Sequence, residues 1–184
     1  MDSSFKCFYN LVDFPELPEK YIEEAKNSKY QLRNTPTLYW ADSTFYETSF
    51  FKILEKEFKE CDVTYSMNPP NSSYEWHIDM ERNVTINWVI KTNPEARTFF
   101  KEPITDDDWY GFTDNGVPEK KPVICKLTEL KYNSNKPTIL DVTKQHCIYN
   151  NWSEERIILS LSVMGNTSYK EVVEFLQDIK IESY

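Results

Sequence analysis

The chain has 184 residues, 40% of them hydrophobic, with 30 acidic against 21 basic side chains and a formal charge of −9. That length and apolar content predict one domain able to bury its own core, and the acidic balance argues against a protein that tracks a phosphate backbone over a basic face. No apolar run is long enough for a transmembrane helix, the opening Met1 to Cys7 lacks the basic and apolar regions of a signal peptide, and four cysteines without CxxC spacing point to reduced thiols and a cytoplasmic location.

In chain order, Pro18 opens a predicted helix that runs to Lys26. Phe50, Phe51, Leu54 and Phe58 recur at helical spacing in a second one over Ser49 to Glu60. Residues 1–61 therefore read as a mostly helical support. From Val63 the period shortens, and strands are predicted at 62–68, 74–80, 83–91, 97–101, 122–132, 137–142, 144–150 and 155–164. The segment Glu102 to Pro122 follows neither period and reads as a lid or insertion, with Trp109, Tyr110 and Phe112 available to close over a substrate. The lysines between Lys120 and Lys144 read as a solvated face. Val172, Val173, Phe175, Leu176 and Ile179 mark a last amphipathic helix over 168–179, within a tail of 165–184.

A run of strands without intervening helices predicts a mainly β fold: a double-stranded β-helix of the jelly-roll or cupin-like kind over 62–164. Helices from both ends would cover one outer sheet face. Asn83–Lys91 and Arg156–Val163 read as apolar on both strand faces, as expected for a sheet buried on both sides.

The only two histidines are His77 and His146. His77 is followed two residues on by Asp79, and alternate residues of a strand share a face. His146 must be brought alongside from a distant strand. Two imidazoles and one carboxylate, with open positions opposite, suit non-haem Fe(II), and the lack of a thiolate disfavours zinc. Arg156 lies ten residues past His146. Placed by a hairpin whose turn is Asn150 to Glu154, it would present a fork of donors to a carboxylate. The plainer reading of Arg156 is a surface ion pair with Glu154 or Glu155.

His-x-Asp, then His followed at ten residues by Arg, resembles the 2-oxoglutarate/Fe(II)-dependent dioxygenase superfamily, most closely its small phage-type members of the aspartyl/asparaginyl- or prolyl-hydroxylase kind. The resemblance spans Tyr65 to Met164 and is carried by the two metal motifs. It implies His77, Asp79 and His146 as iron ligands and catalytic centre, with O2 and 2-oxoglutarate as co-substrates and the far carboxylate of 2-oxoglutarate on Arg156. It implies hydroxylation of an unactivated C–H bond, with release of succinate and CO2; retention of Asp79 argues against halogenation. Ser160, Asn87 and Arg82 are further candidates for binding the co-substrate, and Tyr65, Tyr74 or Thr98 could supply a helper hydroxyl. Ile158 stands where some members carry a serine two residues past the arginine. The substrate would be a small molecule, peptide or protein, and nucleic acid is disfavoured by charge. A nucleobase-modifying oxygenase and a non-catalytic cupin-like binding module are the alternatives.

Overall fold

The computed structural model describes residues 7–32, 37–103, 125–132, 135–179, 181 and 184. Strand β1 (Phe8–Asn10) precedes helix α1 (Glu19–Asn27), short strands β2 (Gln31–Leu32) and β3 (Tyr39–Asp42), a 3-10 turn (Thr44–Glu47) and helix α2 (Ser49–Phe58). Eight strands follow: β4 (Cys61–Asn68), β5 (Ser72–His77), β6 (Arg82–Lys91), β7 (Ala96–Pro103), β8 (Cys125–Glu129), β9 (Thr138–Asp141), β10 (His146–Asn150) and β11 (Arg156–Met164). Helix α3 (Tyr169–Asp178) closes the chain.

The helix starts have local causes. Pro18 flanks α1, its fixed φ suited to a helix entry. Thr48 caps α2 by accepting from the Phe51 N–H at 3.0 Å. Ser168 and Glu171 form a capping box on α3: the Ser168 backbone N–H donates to Glu171 Oε2 at 2.7 Å, and the Glu171 N–H donates back to Ser168 Oγ at 3.3 Å.

The strands form two antiparallel sheets, a large one in the order β1-β9-β6-β11-β4-β3-β2 and a small one in the order β5-β10-β7-β8. This is the predicted mainly β, jelly-roll arrangement. All three helices pack on the outer face of the large sheet. Tyr21 and Ala25 of α1, Phe50 and Leu54 of α2, and Val172 and Leu176 of α3 meet Val63 and Tyr65 of β4, Val84, Ile86 and Trp88 of β6, and the odd-numbered residues of β11. Each large apolar side chain buried there contributes about 1.5–3 kcal/mol. Trp88 lies 5.1 Å from Phe45 and 5.9 Å from Phe50 between ring centres, and its indole N–H donates to the Tyr184 hydroxyl at 2.8 Å.

Three expectations change. Among the described residues of 1–61, unforeseen strands accompany the helices: β1 pairs with β9, and β2 and β3 extend the large sheet beyond β4. These strands are two to four residues long, too short for a period to show. Strands β6 and β11 are not apolar on both faces. Thr85, Asn87, Ser160 and Ser162 face the barrel interior opposite the helix-packed side, and all are buried. The interior is thus mixed, these polar side chains lying among Leu140, Val142, Ile148 and Ile158. Finally, β10 and β11 are not a hairpin. β10 pairs with β5 and β7 in the small sheet, whereas β11 pairs with β4 and β6 in the large one.

Of the segment expected to act as a lid, Glu102 and Pro103 end β7 and the rest, with Trp109, Tyr110 and Phe112, lies outside the described residues. Cys7, Cys61 and Cys147 are free thiols. Among the described residues no helix is long and apolar enough to cross a membrane.

Candidate metal centre

His77 ends β5 and His146 begins β10, and the two are direct partners across the antiparallel pair. Their rings lie 4.1 Å apart. Each is oriented by a carbonyl two residues upstream: His77 Nδ1 is 2.6 Å from the Glu75 oxygen and His146 Nδ1 is 2.9 Å from the Lys144 oxygen. A carbonyl only accepts, so the proton sits on Nδ1 and the Nε2 lone pair is left for a metal. Phe100 stacks on His146 at 5.4 Å and Tyr74 packs on His77 at 3.9 Å.

Asp79 reaches the same point by a different route from the one expected. β5 stops at His77, so strand alternation does not aim the carboxylate. The Asp79 backbone N–H instead donates to the Val142 carbonyl at 3.0 Å, which ties the turn after β5 to the segment just past β9 of the large sheet. Asp79 Oδ1 then lies 3.5 Å from His77 Nε2, and the ligand atoms of His77, Asp79 and His146 all fall within 4.8 Å of one another. One carboxylate and two imidazole Nε2 atoms are a donor set that fits Fe(II).

The electrostatics suit ligation. Burial drives the His146 imidazole down to about 4, outweighing the pull of Asp79, and burial also lowers His77. Burial pushes the Asp79 carboxyl up, but Arg82 and the two histidines more than offset this and hold it below its ordinary value. At neutral pH both imidazoles are therefore neutral and the carboxylate is charged, the states that bind metal. A pH dependence follows for the metal-free protein. A histidine whose folded pKa is depressed binds fewer protons folded than unfolded between about 6.5 and 4. Its contribution is complete above about 6.5 and is lost as pH falls through that window, at up to about 1.4 kcal/mol per pH unit per proton. Urea midpoints at pH 7.5, 6 and 5 should decline, and His146→Gln should flatten the profile. An equally steep decline in that variant would contradict this account.

Arg82, expected to bind the co-substrate, is seen to hold the Asp79 carboxylate. Its Nε donates to Asp79 Oδ2 at 2.7 Å and its Nη1 to Ser162 Oγ at 2.8 Å, while the guanidinium lies 5.4 Å from the Trp40 ring. This pair fixes the rotamer of Asp79 and leaves Oδ1 facing the histidines. Groups that hold a ligand in place are worth about 10–100-fold in metal affinity. Arg82→Met should lower Fe(II) affinity by about that range, measured by anaerobic titration. Affinity unchanged from the parent would remove Arg82 from the centre.

Deeper in the barrel, Arg156 is fully buried at the start of β11, where it pairs with Asn68. Its side chain crosses the interior to the small sheet: Nη2 donates to Thr98 Oγ1 at 2.9 Å, and the guanidinium lies 5.2 Å from the Tyr132 ring. Among the described residues Nε and Nη1 have no hydrogen-bond partner, although the neighbouring Tyr132 side chain favours the charged guanidinium. The surface-pair reading fails, because Glu154 and Glu155 both bind Lys91, at 2.8 and 2.7 Å. A buried guanidinium with two open donors is costly in isolation, since an unmade buried bond forfeits the hydration of the group. Ser160 and Asn87, partners across β11 and β6, face the same space, and Asn87 Oδ1 also has no partner. Ile158 lines it beside them.

A narrow cavity of about 50 Å³ reaches from Asn87, Thr98 and Ser160 to the triad. On the Asp79 side it meets a wider cavity of about 440 Å³, the two sharing Trp40, Tyr74 and Arg82 as walls. Of the helper hydroxyls considered, Tyr74 and Thr98 are at this site, whereas Tyr65 points to the helices and donates to the Tyr21 carbonyl. Tyr132 and Trp40 carried no motif that would have singled them out. Thr64, Ser66 and Asn68 did carry one, alternating with apolar residues along β4.

No protein-family model matches the chain, and no curated protein matches it. Solved structures do. The chain is similar to a Pseudomonas putida prolyl-4-hydroxylase, at TM-score 0.52 and 11% identity over 89% of this chain and 95% of that one. It is similar to the non-heme alpha ketoglutarate dependent epimerase SnoN from nogalamycin biosynthesis, at TM-score 0.53 and 11% identity over 81% and 74%. A Burkholderia pseudomallei oxidoreductase of the 2OG-Fe(II) oxygenase family matches at TM-score 0.51 and 8% identity over 83% and 80%. At these identities the likeness establishes the fold that this chain shares with 2OG-Fe(II) oxygenases.

Proposed function

We propose that this chain is an Fe(II)- and 2-oxoglutarate-dependent dioxygenase that hydroxylates an unactivated C–H bond. The observation that carries the reading is the pairing of two sites in one barrel: a His-Asp-His donor set at the mouth and, further in, a buried arginine with two open N–H donors. Iron(II) and 2-oxoglutarate together would supply the reduction of O2, with succinate and CO2 released.

The protein's own part is binding and orientation. His77 and His146 offer Nε2, held in that tautomer by the Glu75 and Lys144 carbonyls. Asp79 offers Oδ1 while Arg82 occupies Oδ2. Arg156 would take the distal carboxylate of 2-oxoglutarate through its open Nε and Nη1, a fork matched to two oxygens. Asn87, Thr98 and Ser160 line the space between. The narrow cavity has room for only a few waters, so the dicarboxylate must displace them and turn the lining side chains. Trp88 and the helix layer seal the large sheet from behind.

The direct test is formation of succinate from 2-oxoglutarate with Fe(II), ascorbate and O2 in the absence of a prime substrate. Slow, iron-dependent succinate release is expected. Tight iron binding with no succinate would favour a metal-binding module without catalysis.

A further inference from the structure

Between β10 and β11 the chain leaves the small sheet for the large one, and a single side chain holds that crossing. Asn150, the last residue of β10, is fully buried. Its Nδ2 donates to the carbonyls of Asn68 at 3.1 Å, Pro69 at 2.8 Å and Glu154 at 2.9 Å, and its Oδ1 accepts from the Trp152 N–H at 3.4 Å. The Oδ1 bond, two residues on, is the ordinary turn chemistry of asparagine. The Nδ2 bonds go further. Asn68 lies 82 residues back in the chain, ends β4 and is the register partner of Arg156, and Glu154 stands two residues before Arg156. On its other side Asn150 pairs with Ala96 of β7, two residues from Thr98, which accepts from the Arg156 guanidinium. One amide therefore ties the strand that carries Arg156 to the sheet that receives its head group.

We propose that Asn150 is a positioning residue for Arg156: it fixes the separation of the two sheets where the arginine crosses between them, and so the direction in which Nε and Nη1 are presented. The proposal rests on the reading that Arg156 takes the distal carboxylate of 2-oxoglutarate. A guanidinium fork binds two oxygens only when both N–H bonds are short and well aligned, and a shift of about 1 Å forfeits one of them. Without the Asn150 amide, three carbonyls at the crossing lose a donor, and buried carbonyls then draw the chain open to find water. The triad should be spared, because His146 is four residues away at the other end of β10, about 13 Å along the strand. The competing account is that Asn150 serves only the fold.

The test compares two 2-oxo acids on the Zn(II)-loaded protein, titrated well below each variant's thermal midpoint. They are 2-oxoglutarate and 2-oxobutyrate, which lacks the distal carboxylate. The parent should prefer 2-oxoglutarate. Asn150→Ala should lower that preference by about tenfold, the scale of one charge-assisted hydrogen bond, with the affinities for Zn(II) and 2-oxobutyrate unchanged. Asn150→Ser, which keeps one donor, should fall between the two. In Arg156→Met the preference is already lost, and adding Asn150→Ala should change it no further, because the two residues act as one unit. A residue that serves only the fold would weaken both oxo acids alike or neither. A parent preference retained in both Asn150 variants, an equal loss for the two acids, a further loss in the double variant, or failure of both single variants to fold would each overturn the proposal. A parent without the preference would overturn the co-substrate reading of Arg156 itself, and this proposal with it.

Discussion

Alanine at His77, Asp79 or His146 should abolish tight Fe(II) binding and with it all succinate formation, while the β core still folds. Each residue supplies one of three ligand atoms gathered within 4.8 Å. Loss of an outer group that merely orients a ligand costs about 10–100-fold, so loss of the ligand itself should cost more than about 100-fold. The fold is expected to survive because the main apolar cluster lies on the other side of the large sheet, around Trp88, Leu159 and Leu161. Asp79→Ala also leaves Arg82 without its carboxylate, so that variant should be the least stable of the three. Anaerobic metal titration alongside circular dichroism checks both parts. Parent-like iron binding in all three variants would end the metal assignment.

Arg156 should show a split that few residues do: replacing it should weaken co-substrate binding yet stabilise the empty protein. Arg156→Lys keeps a charge but loses the planar fork. Its affinity for 2-oxoglutarate should fall by about 1–3 kcal/mol, with iron binding spared. Arg156→Met removes a fully buried cation whose Nε and Nη1 are unpartnered and whose guanidinium burial already pulls below its ordinary pKa. Each unmade buried bond costs about 1–3 kcal/mol, so the metal-free Met variant should be more stable than the parent by a gain of that order. The same variant should lose the thermal stabilisation that 2-oxoglutarate gives the parent. An arginine serving only the fold would behave oppositely, because its removal would break the Thr98 bond and destabilise. Loss of stability in Arg156→Met, with 2-oxoglutarate affinity unchanged in Arg156→Lys, would return it to a structural role.

The sequence by itself determined the candidate donor types and most of the elements. Two histidines in the whole chain leave little choice of imidazole donor, and Asp79 and Arg156 stand at informative distances from them. The eight predicted strands all occur, α1 follows Pro18, and α2 and α3 lie where their apolar spacing indicates. Such signals are local, written over a few turns of helix or a few alternations of strand.

Which groups meet across the barrel is not written locally. The sequence does not say that β10 and β11, separated by a five-residue connection, join different sheets, yet that crossing carries Arg156 through the interior to Thr98. Nor could alternation place Asp79, since β5 has already ended and a backbone bond to Val142 aims it. Arg82 is a co-substrate candidate through the family resemblance, and only the tertiary structure shows that it holds the carboxylate of Asp79. β6 and β11 read as apolar on both faces, and only the packing shows that one face meets the helices while the other carries Thr85, Asn87, Ser160 and Ser162. Hydrophobic burial selects the helix-covered face without naming partners, whereas a hydrogen bond needs its partner within about 3 Å, and that proximity exists only once distant strands are laid side by side.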